Sequence, residues 1–315
     1  IVNKLDKDSV EDVKMLLSYD EDEIGSRMTT NYISIKNDMT IRQAMSELVK
    51  QAGEQGITDF GITDHVHTYF NYPREIAASR KEYDELLAKQ PELKSRFHFG
   101  VEVSGMSEWE VDMIENNRVK EDEVPNKTFT YGLRWSDGPK DSKPTFCIND
   151  EIKKKYGIEF VVGGVHWAIY PDPNPKEIIE NMHKQYLLAI ENPNIDILAH
   201  WLWWWEGNPC ENQFNDFDKV PQYMKDEIAG ALKTYNKAFE LNPSFAMGGN
   251  GNPEKGKFYH KYFEYAANLQ DMGIKLAIST DSHAADYKFP FEYYDKVMRE
   301  HGIDMENNIF CLERK

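Results

Sequence analysis

Little in this chain speaks for a disulfide framework, a membrane or a polyanionic partner. Its three cysteines, Cys147, Cys210 and Cys311, are odd in number and show no CxxC spacing, which excludes a disulfide scaffold and favours free thiols in a reducing cytosol. No apolar run approaches the roughly 18 to 20 residues that span a bilayer, and the N-terminus lacks the basic-then-apolar pattern of a signal peptide. Positive charge is scarce: 37 Lys and Arg against 54 Asp and Glu leave a formal net charge of -17. Such a surface repels a phosphodiester backbone and excludes bulk nucleic acid, but leaves room for a small phosphorylated ligand held by metals. These absences lead to the expectation of a soluble, cytoplasmic protein. Histidine is missing from the N-terminal segment, since all nine lie at or after His65.

What the chain does have is one device used five times. The stretches Gly61-Ile62-Thr63-Asp64-His65, Phe99-Gly100-Val101-Glu102, Val161-Val162-Gly163-Gly164-Val165-His166, Ile195-Asp196-Ile197-Leu198-Ala199-His200 and Leu276-Ala277-Ile278-Ser279-Thr280-Asp281-Ser282-His283 each end a short β-prone run in a group able to bind a divalent metal. If these are parallel strands of one barrel, their C-terminal ends meet at one mouth, where the chemistry of such folds sits.

The surrounding pattern is strand–helix alternation, which argues a parallel sheet with right-handed crossovers. Residues 9–17 read as a capped helix and 32–35 as a short first strand. A second helix opens at Asn37-Asp38-Met39-Thr40, with Ile41, Ala44, Met45, Leu48, Val49 and Ala52 on one face. Strands are then predicted over 57–62, 97–103, 158–165, 195–199, 245–247 and 274–279, with a closing strand over 309–312. Helices are expected behind the loop after residue 69 and over 174–191, 223–240, 258–272 and 291–301. Residues 105–150, acidic and poor in apolar side chains, read as a long excursion from the barrel mouth. The length suits one elaborated domain, with residues 1–50 an N-terminal helical segment that contributes the first strand and helix and 51–315 the barrel.

Two resemblances follow from these residues. The order "TDH, GVE, H, H, DxH" at strand ends resembles the polymerase and histidinol phosphatase (PHP) family over roughly residues 50–315. The resemblance implies a distorted seven-stranded (β/α)7 TIM-like barrel holding one to three divalent cations, Zn, Mn or Fe, against a phosphate ester. It carries over His65, Glu102, His166, His200, Asp281 and His283 as metal ligands, with Glu102 bridging. Separately, residues 8–50, with S-Y-D-E-D-E-I-G and D-M-T-I-R-Q-A-M, resemble a fragment of MgtE-type magnesium transporters at the junction of the N-terminal domain and the first CBS domain. No transport is implied, because no membrane span accompanies it.

Imidazole and carboxylate donors suit Zn, Mn or Fe, and a cation lowers the pKa of a water it holds. Asp281 is the expected proton-handling group and Asp64 either a second catalytic acid that orients a histidine or a turn residue. Expected substrate contacts are His67, Trp201, Asn250 and Lys257. The run Trp201 to Trp205 is read either as a stacking wall for a ring or as a plug of the barrel top, and Lys255 and Lys257 either as phosphate contacts or as solvated charges. His98 is expected to fill the sheet, while His183, His260 and His301 are expected on helix surfaces.

Two departures from the family pattern stand out. Its members usually open with H-x-H about 31 to 33 residues before the TDH histidine, where this chain has Tyr32 and Ser34. They also show E-x-N near the fifth strand end, where Gly248-Gly249-Asn250 falls. The readings left open are a phosphoesterase acting on a small metabolite, a metal-dependent hydrolase of an amide or sugar, and an impaired barrel that binds metal without turnover.

Overall fold

Five of the apolar runs, with one stretch expected as helix, become neighbouring parallel strands, β1 (Phe60–Val66), β2 (Phe97–Ser107), β4 (Phe160–Gly164), β5 (Ile197–Leu198), β6 (Ala238–Leu241) and β7 (Leu276–Ile278), in the order β1-β2-β4-β5-β6-β7. The structure is a computed structural model that describes residues 40–118, 139, 142–166, 168–169, 174–202, 217–243, 253–281 and 291–312, the side chains of 253–257 excepted. The chain divides into two compact units, Ile1–Gln51 with Ser282–Lys288, and Ala52–Asp281 with Phe289–Lys315. The segment before residue 40, including Tyr32, Ser34 and the expected first strand, lies outside the described residues.

Helix α1 (Ile41–Glu54) begins at a reciprocal cap: the Thr40 N–H donates to Gln43 Oε1 at 2.7 Å and the Gln43 N–H to Thr40 Oγ1 at 3.3 Å. Such a box satisfies amides the helix cannot. The second unit contains the sheet. After β1 a turn of π-helix (Tyr72–Ile76) runs into α2 (Ala77–Lys89), and the crossovers continue through α3 (Glu108–Glu115), α4 (Asp150–Tyr156), α5 (Pro175–Glu191), α6 (Gln222–Tyr235), α7 (Pro253–Asp271) and α8 (Phe291–Glu300). Asn149 and Asn174 cap α4 and α5 with their side-chain oxygens, as the sequence leads one to expect.

Strand alternation divides the sheet into two faces. Phe99, Val101 and Val103 of β2, each at most 1% exposed, lie on one face. The other face carries Phe160, Val162, Ile197, Ala199, Ala238 and Ala277, with Phe310 and Leu312 packed against them. Both faces being apolar is what a parallel sheet covered on both sides requires. Phe160 fills the inner face near the strand starts because β1 and β2 are bare there: a Cβ at Gly61 or Gly100 would stand 2.6 or 2.5 Å from its ring.

The architecture is therefore α/β with a parallel sheet of barrel-like order. Among the described residues it is not closed on itself, and Ile309 pairs with Leu276 at the β7 edge by a single parallel bridge. Two expectations need correction. The helix expected to run to Glu240 stops at Tyr235, where Asn236 turns left-handed (φ 52°), and Ala238–Leu241 forms β6. Asn tolerates that conformation better than other side chains, and the run Ala-Phe-Glu-Leu pairs with β5 and β7 because both its faces are buried. The excursion after β2 is not all loop either: β2 continues to Ser107, and β3 (Pro144–Phe146) returns antiparallel against Gly105–Ser107. The strand expected over 245–247 lies outside the described residues.

Candidate metal centre

His65 and Glu102 are direct neighbours in the β1–β2 register, so parallel pairing alone puts an imidazole beside a carboxylate. Around Glu102 three histidines converge. His65 Nε2 lies 3.7 Å from Glu102 Oε2, and His166 Nε2 and His200 Nε2 lie 3.2 and 3.1 Å from Oε1. Glu102, His166 and His200 are buried, while His65 is part-exposed. Ligating atoms of His65, Glu102 and His166 all fall within 4.8 Å of one another.

The sheet explains most of this convergence. Glu102 and His166 extend the inner-face positions of β2 and β4, two and four residues beyond Gly100 and Val162. His200 does not follow: alternation from Ala199 would send it to the other face. The backbone leaves the extended region at His200 (φ 25°), and that turn brings its ring to Glu102. The conformation is costly for a residue with a Cβ, and Glu240 of β6 holds it by accepting the His200 backbone N–H through Oε2. The other oxygen of Glu240 accepts the Ser279 hydroxyl.

The residues present fit a divalent cation. Two to three imidazole nitrogens and one carboxylate are the donors that Zn, Mn and Fe take. The space between them depends on a missing side chain, because a Cβ at Gly164 would meet Glu102 Oε1 at 2.7 Å, His166 Cε1 at 2.8 Å and His200 Nε2 at 3.2 Å.

Charge in the cluster is unevenly shared. Burial alone would raise the Glu102 carboxyl, but hydrogen bonds from His166 and His200 and the nearby His65 hold it well below the usual carboxylate range. Burial lowers His166 to about 4, against the pull of its Glu102 hydrogen bond. For His200 burial also acts downward, yet the Glu102 hydrogen bond and the charges of Glu102, Glu240 and Asp281 raise it to about 9. Burial pushes Glu240 up to about 7 despite His200 beside it. Without a cation, the ionised Glu102 is thus balanced by a proton on His200.

Beyond Glu102, His67 is also buried and belongs to the same group of rings, with its centroid 5.0 Å from that of His65 and 5.4 Å from that of His166. Ser104, fully buried, stands between His67 and His166: its Oγ is 2.7 Å from His67 Nδ1 and 2.9 Å from His166 Nδ1. Asp281 follows β7 in a left-handed conformation (φ 47°), exposed, its charge reaching His200.

Other predicted positions fall elsewhere. Asp64 alternates with His65 and meets α2, where the Ser79 hydroxyl donates to its Oδ2, a contact that ties β1 to a helix. Trp201 is fully buried, with its ring 5.3 Å from Tyr265, 6.1 Å from Phe217 and 6.3 Å from Phe239. It is a plug, with no surface left for a substrate. Asn250 and His283, Trp203 to Trp205, and the side chains of Lys255 and Lys257 lie outside the described residues. His183 is buried, not superficial, and its Nε2 is 2.7 Å from Glu227 Oε2. His98 sits buried between Asp59 and Glu159, and His260 pairs with His301 at 2.7 Å.

Sequence reasoning missed Glu240 and Ser104. Glu240 had a signal: Glu240-Leu241-Asn242 also has the E-x-N spacing, in a strand that the helix-like lead-in before it conceals. Ser104 had none beyond its place two residues after Glu102.

Compared with known proteins, the chain matches no family model. Two proteins named probable phosphatases, from Thermoanaerobacter sp. (strain X514) and Thermoanaerobacter pseudethanolicus, are each 29% identical over 164 residues, 52% of this chain and 56% of theirs. A probable phosphatase of Caldanaerobacter subterraneus subsp. tengcongensis is 25% identical over 160 residues, 50% of this chain and 52% of that one. The chain spans about half the length of these curated relatives. Among solved structures, the histidinol phosphate phosphatase of Lactococcus lactis, complexed with zinc, L-histidinol and phosphate, aligns over 86% of this chain and 90% of its own, with a TM-score of 0.48 and 16% identity. Among the described residues no helix is long and apolar enough to cross a membrane.

Proposed function

We propose that this protein is a metal-dependent phosphoesterase that hydrolyses a small phosphorylated metabolite. The observation that carries the reading is the meeting of His65, His166 and His200 on one buried carboxylate, Glu102, at the C-terminal ends of strands of one parallel sheet. Similarity to proteins named probable phosphatases supports the choice of a phosphate ester.

His65, Glu102, His166 and His200 would hold the cation, with Asp281 as a further candidate and His283 as one that the family resemblance alone suggests. A bound cation supplies Lewis-acid stabilisation of charge on phosphoryl oxygens and a water acidic enough to attack near neutral pH. The chain's own contribution is to keep Glu102 ionised, to keep His166 neutral, and to fix the His200 ring through the grip of Glu240 on its backbone. Asp281, exposed beside His200, is placed to take or give a proton at the mouth. A non-phosphate hydrolase would draw support from a tryptophan wall and the lack of a clear arginine clamp; of that wall, Trp201 is core.

The test is chelation followed by assay with p-nitrophenyl phosphate and added Mn or Zn. Turnover that disappears on chelation and returns with metal is expected. Metal-independent turnover, or none with any cation while amide or sugar substrates are cleaved, overturns the reading.

A further inference from the structure

A second cleft lies beside the loop that leaves β1, and none of the candidate metal donors described above lines it. Its volume is about 340 Å³. That is the lower end of the range of about 300 to 1,000 Å³ that small-molecule sites occupy, and suits one ring with its substituents. One wall is Tyr69, Tyr72 and Pro73. The other is α4, whose Ile152 and Tyr156 stand one helical turn apart and so share a face. The Tyr72 ring is fixed: it is buried, its hydroxyl donates to the Cys147 carbonyl, and it stacks on Tyr156 with centroids 5.3 Å apart.

Helix α4 also brings both signs of charge to this cleft. Glu151 and Lys155, both exposed, line it one turn apart with the acid first, the order that most favours an ion pair on a helix. That pair is not made. The Lys155 ammonium lies over the Tyr156 ring, 5.0 Å from its centroid, and among the described residues neither Glu151 nor Lys155 forms an ion pair. The Tyr69 and Tyr156 hydroxyls likewise make no hydrogen bond among the described residues. Burial pushes the Tyr69 phenol up to about 12, so at neutral pH it keeps its proton and remains a donor.

We propose that this cleft binds a small aromatic zwitterion of the aromatic α-amino acid type: the ring packs among Tyr69, Ile152 and Tyr156, the carboxylate meets Lys155 and the Tyr69 hydroxyl, and the ammonium meets Glu151. The charges decide the class. A simple anion at Lys155 is opposed by Glu151 one turn away, and a simple cation at Glu151 by Lys155, whereas a zwitterion sets each of its charges against the opposite one. An exposed ammonium–ring contact is weak, and a carboxylate gives Lys155 a stronger partner as it leaves the Tyr156 ring to the ligand. This inference goes beyond the phosphoesterase reading and does not rest on it, because the described lining of the cleft includes neither Glu102 nor any histidine.

Titration calorimetry of the full chain, with and without Zn and inorganic phosphate, tests it with three probes. These are L-phenylalanine, 3-phenylpropionate, which lacks the ammonium, and 2-phenylethylamine, which lacks the carboxylate. L-phenylalanine is expected to bind under both conditions, and each truncated probe about tenfold or more weakly. Lys155→Ala should bring L-phenylalanine down to the level of 2-phenylethylamine, and Glu151→Gln to the level of 3-phenylpropionate. Lys154→Ala, on the same helix but outside the cleft, should change nothing. All three side chains are exposed, so the variants keep the fold. The proposal is overturned by no heat from L-phenylalanine at about 10 mM, by equal affinity for the three probes, by unchanged affinity in Lys155→Ala or Glu151→Gln, or by an equal loss in Lys154→Ala. Binding that vanishes once Zn and phosphate are present also overturns it, since the ligand then sits at the metal centre. A chain that binds L-phenylalanine as expected but shows no metal-restored turnover would refute the proposed activity and leave the cleft assigned.

Discussion

Glu240 grips the backbone of His200 and not its ring: the carboxylate accepts the His200 N–H where φ is 25°, leaving Nε2 to reach Glu102 at 3.1 Å. An acid on β6 thereby holds in place a conformation that β5, only two residues long, does not impose by itself.

Replacing Glu240 by Leu should leave that buried N–H unpaired and let His200 relax to extended backbone. Loss of about 1 to 3 kcal/mol of stability is expected, and Zn affinity should fall about 10- to 100-fold. Glu240→Gln, which keeps an acceptor, should lose less of both. Urea melts of the metal-free protein and Zn titration calorimetry measure the two effects separately.

Gly164→Ala places a methyl against Glu102, His166 and His200. The circular dichroism spectrum should not change, because Gly164 ends β4 with its Cβ direction facing the cluster and not the helices. Zn affinity should drop about 10- to 100-fold. Unaltered affinity would mean that the cation sits elsewhere.

Stability of the chelated protein should fall as pH rises from 7 to 9. His200 titrates near 9 in the fold against an ordinary value of 6.5, so across this window the folded state holds a proton that the unfolded chain has released, and stability declines with pH. Glu240, raised to about 7, is half titrated where the window opens and acts with the same sign, so it adds to the decline at its lower end. With Zn bound, His200 gives up the proton and its part of the slope should vanish. Thermal melts at pH 7, 8 and 9, with and without Zn, check the sign.

The Phe160 ring lies where side chains at Gly61 and Gly100 would be. Gly100→Ala should cost about 1 to 3 kcal/mol by overpacking. Combined with Phe160→Leu, part of that cost should be recovered, as a negative coupling in a double-mutant cycle. Strict additivity of the two changes would show that the ring and the glycine do not share this space.

Much of the site was legible because parallel strands place their last residues at one rim. The runs ending in His65, Glu102, His166 and His200 could be recognised one by one, and their convergence follows from sheet geometry. The alternatives for Asp64 and Trp201 could not be decided from the sequence because adjacency along the chain is not adjacency in space: each neighbours a histidine of the cluster in sequence, yet Asp64 meets Ser79 and Trp201 enters an aromatic core. Glu240 was hidden by its local setting, since a helical stretch runs almost up to it and only Asn236, turning left-handed, and Lys237 separate helix from strand.

By itself the sequence determined the alternation of strand and helix, the acid and imidazoles at strand ends, and the scarcity of positive charge, because each is a property of a few consecutive residues or of a simple sum. The tertiary structure alone decided that His200 turns inward against alternation, that Glu240 holds it there, and that one serine hydroxyl joins His67 to His166. Those depend on distances between segments roughly 40 to 60 residues apart, which only the pairing of strands across the sheet brings to hydrogen-bonding range.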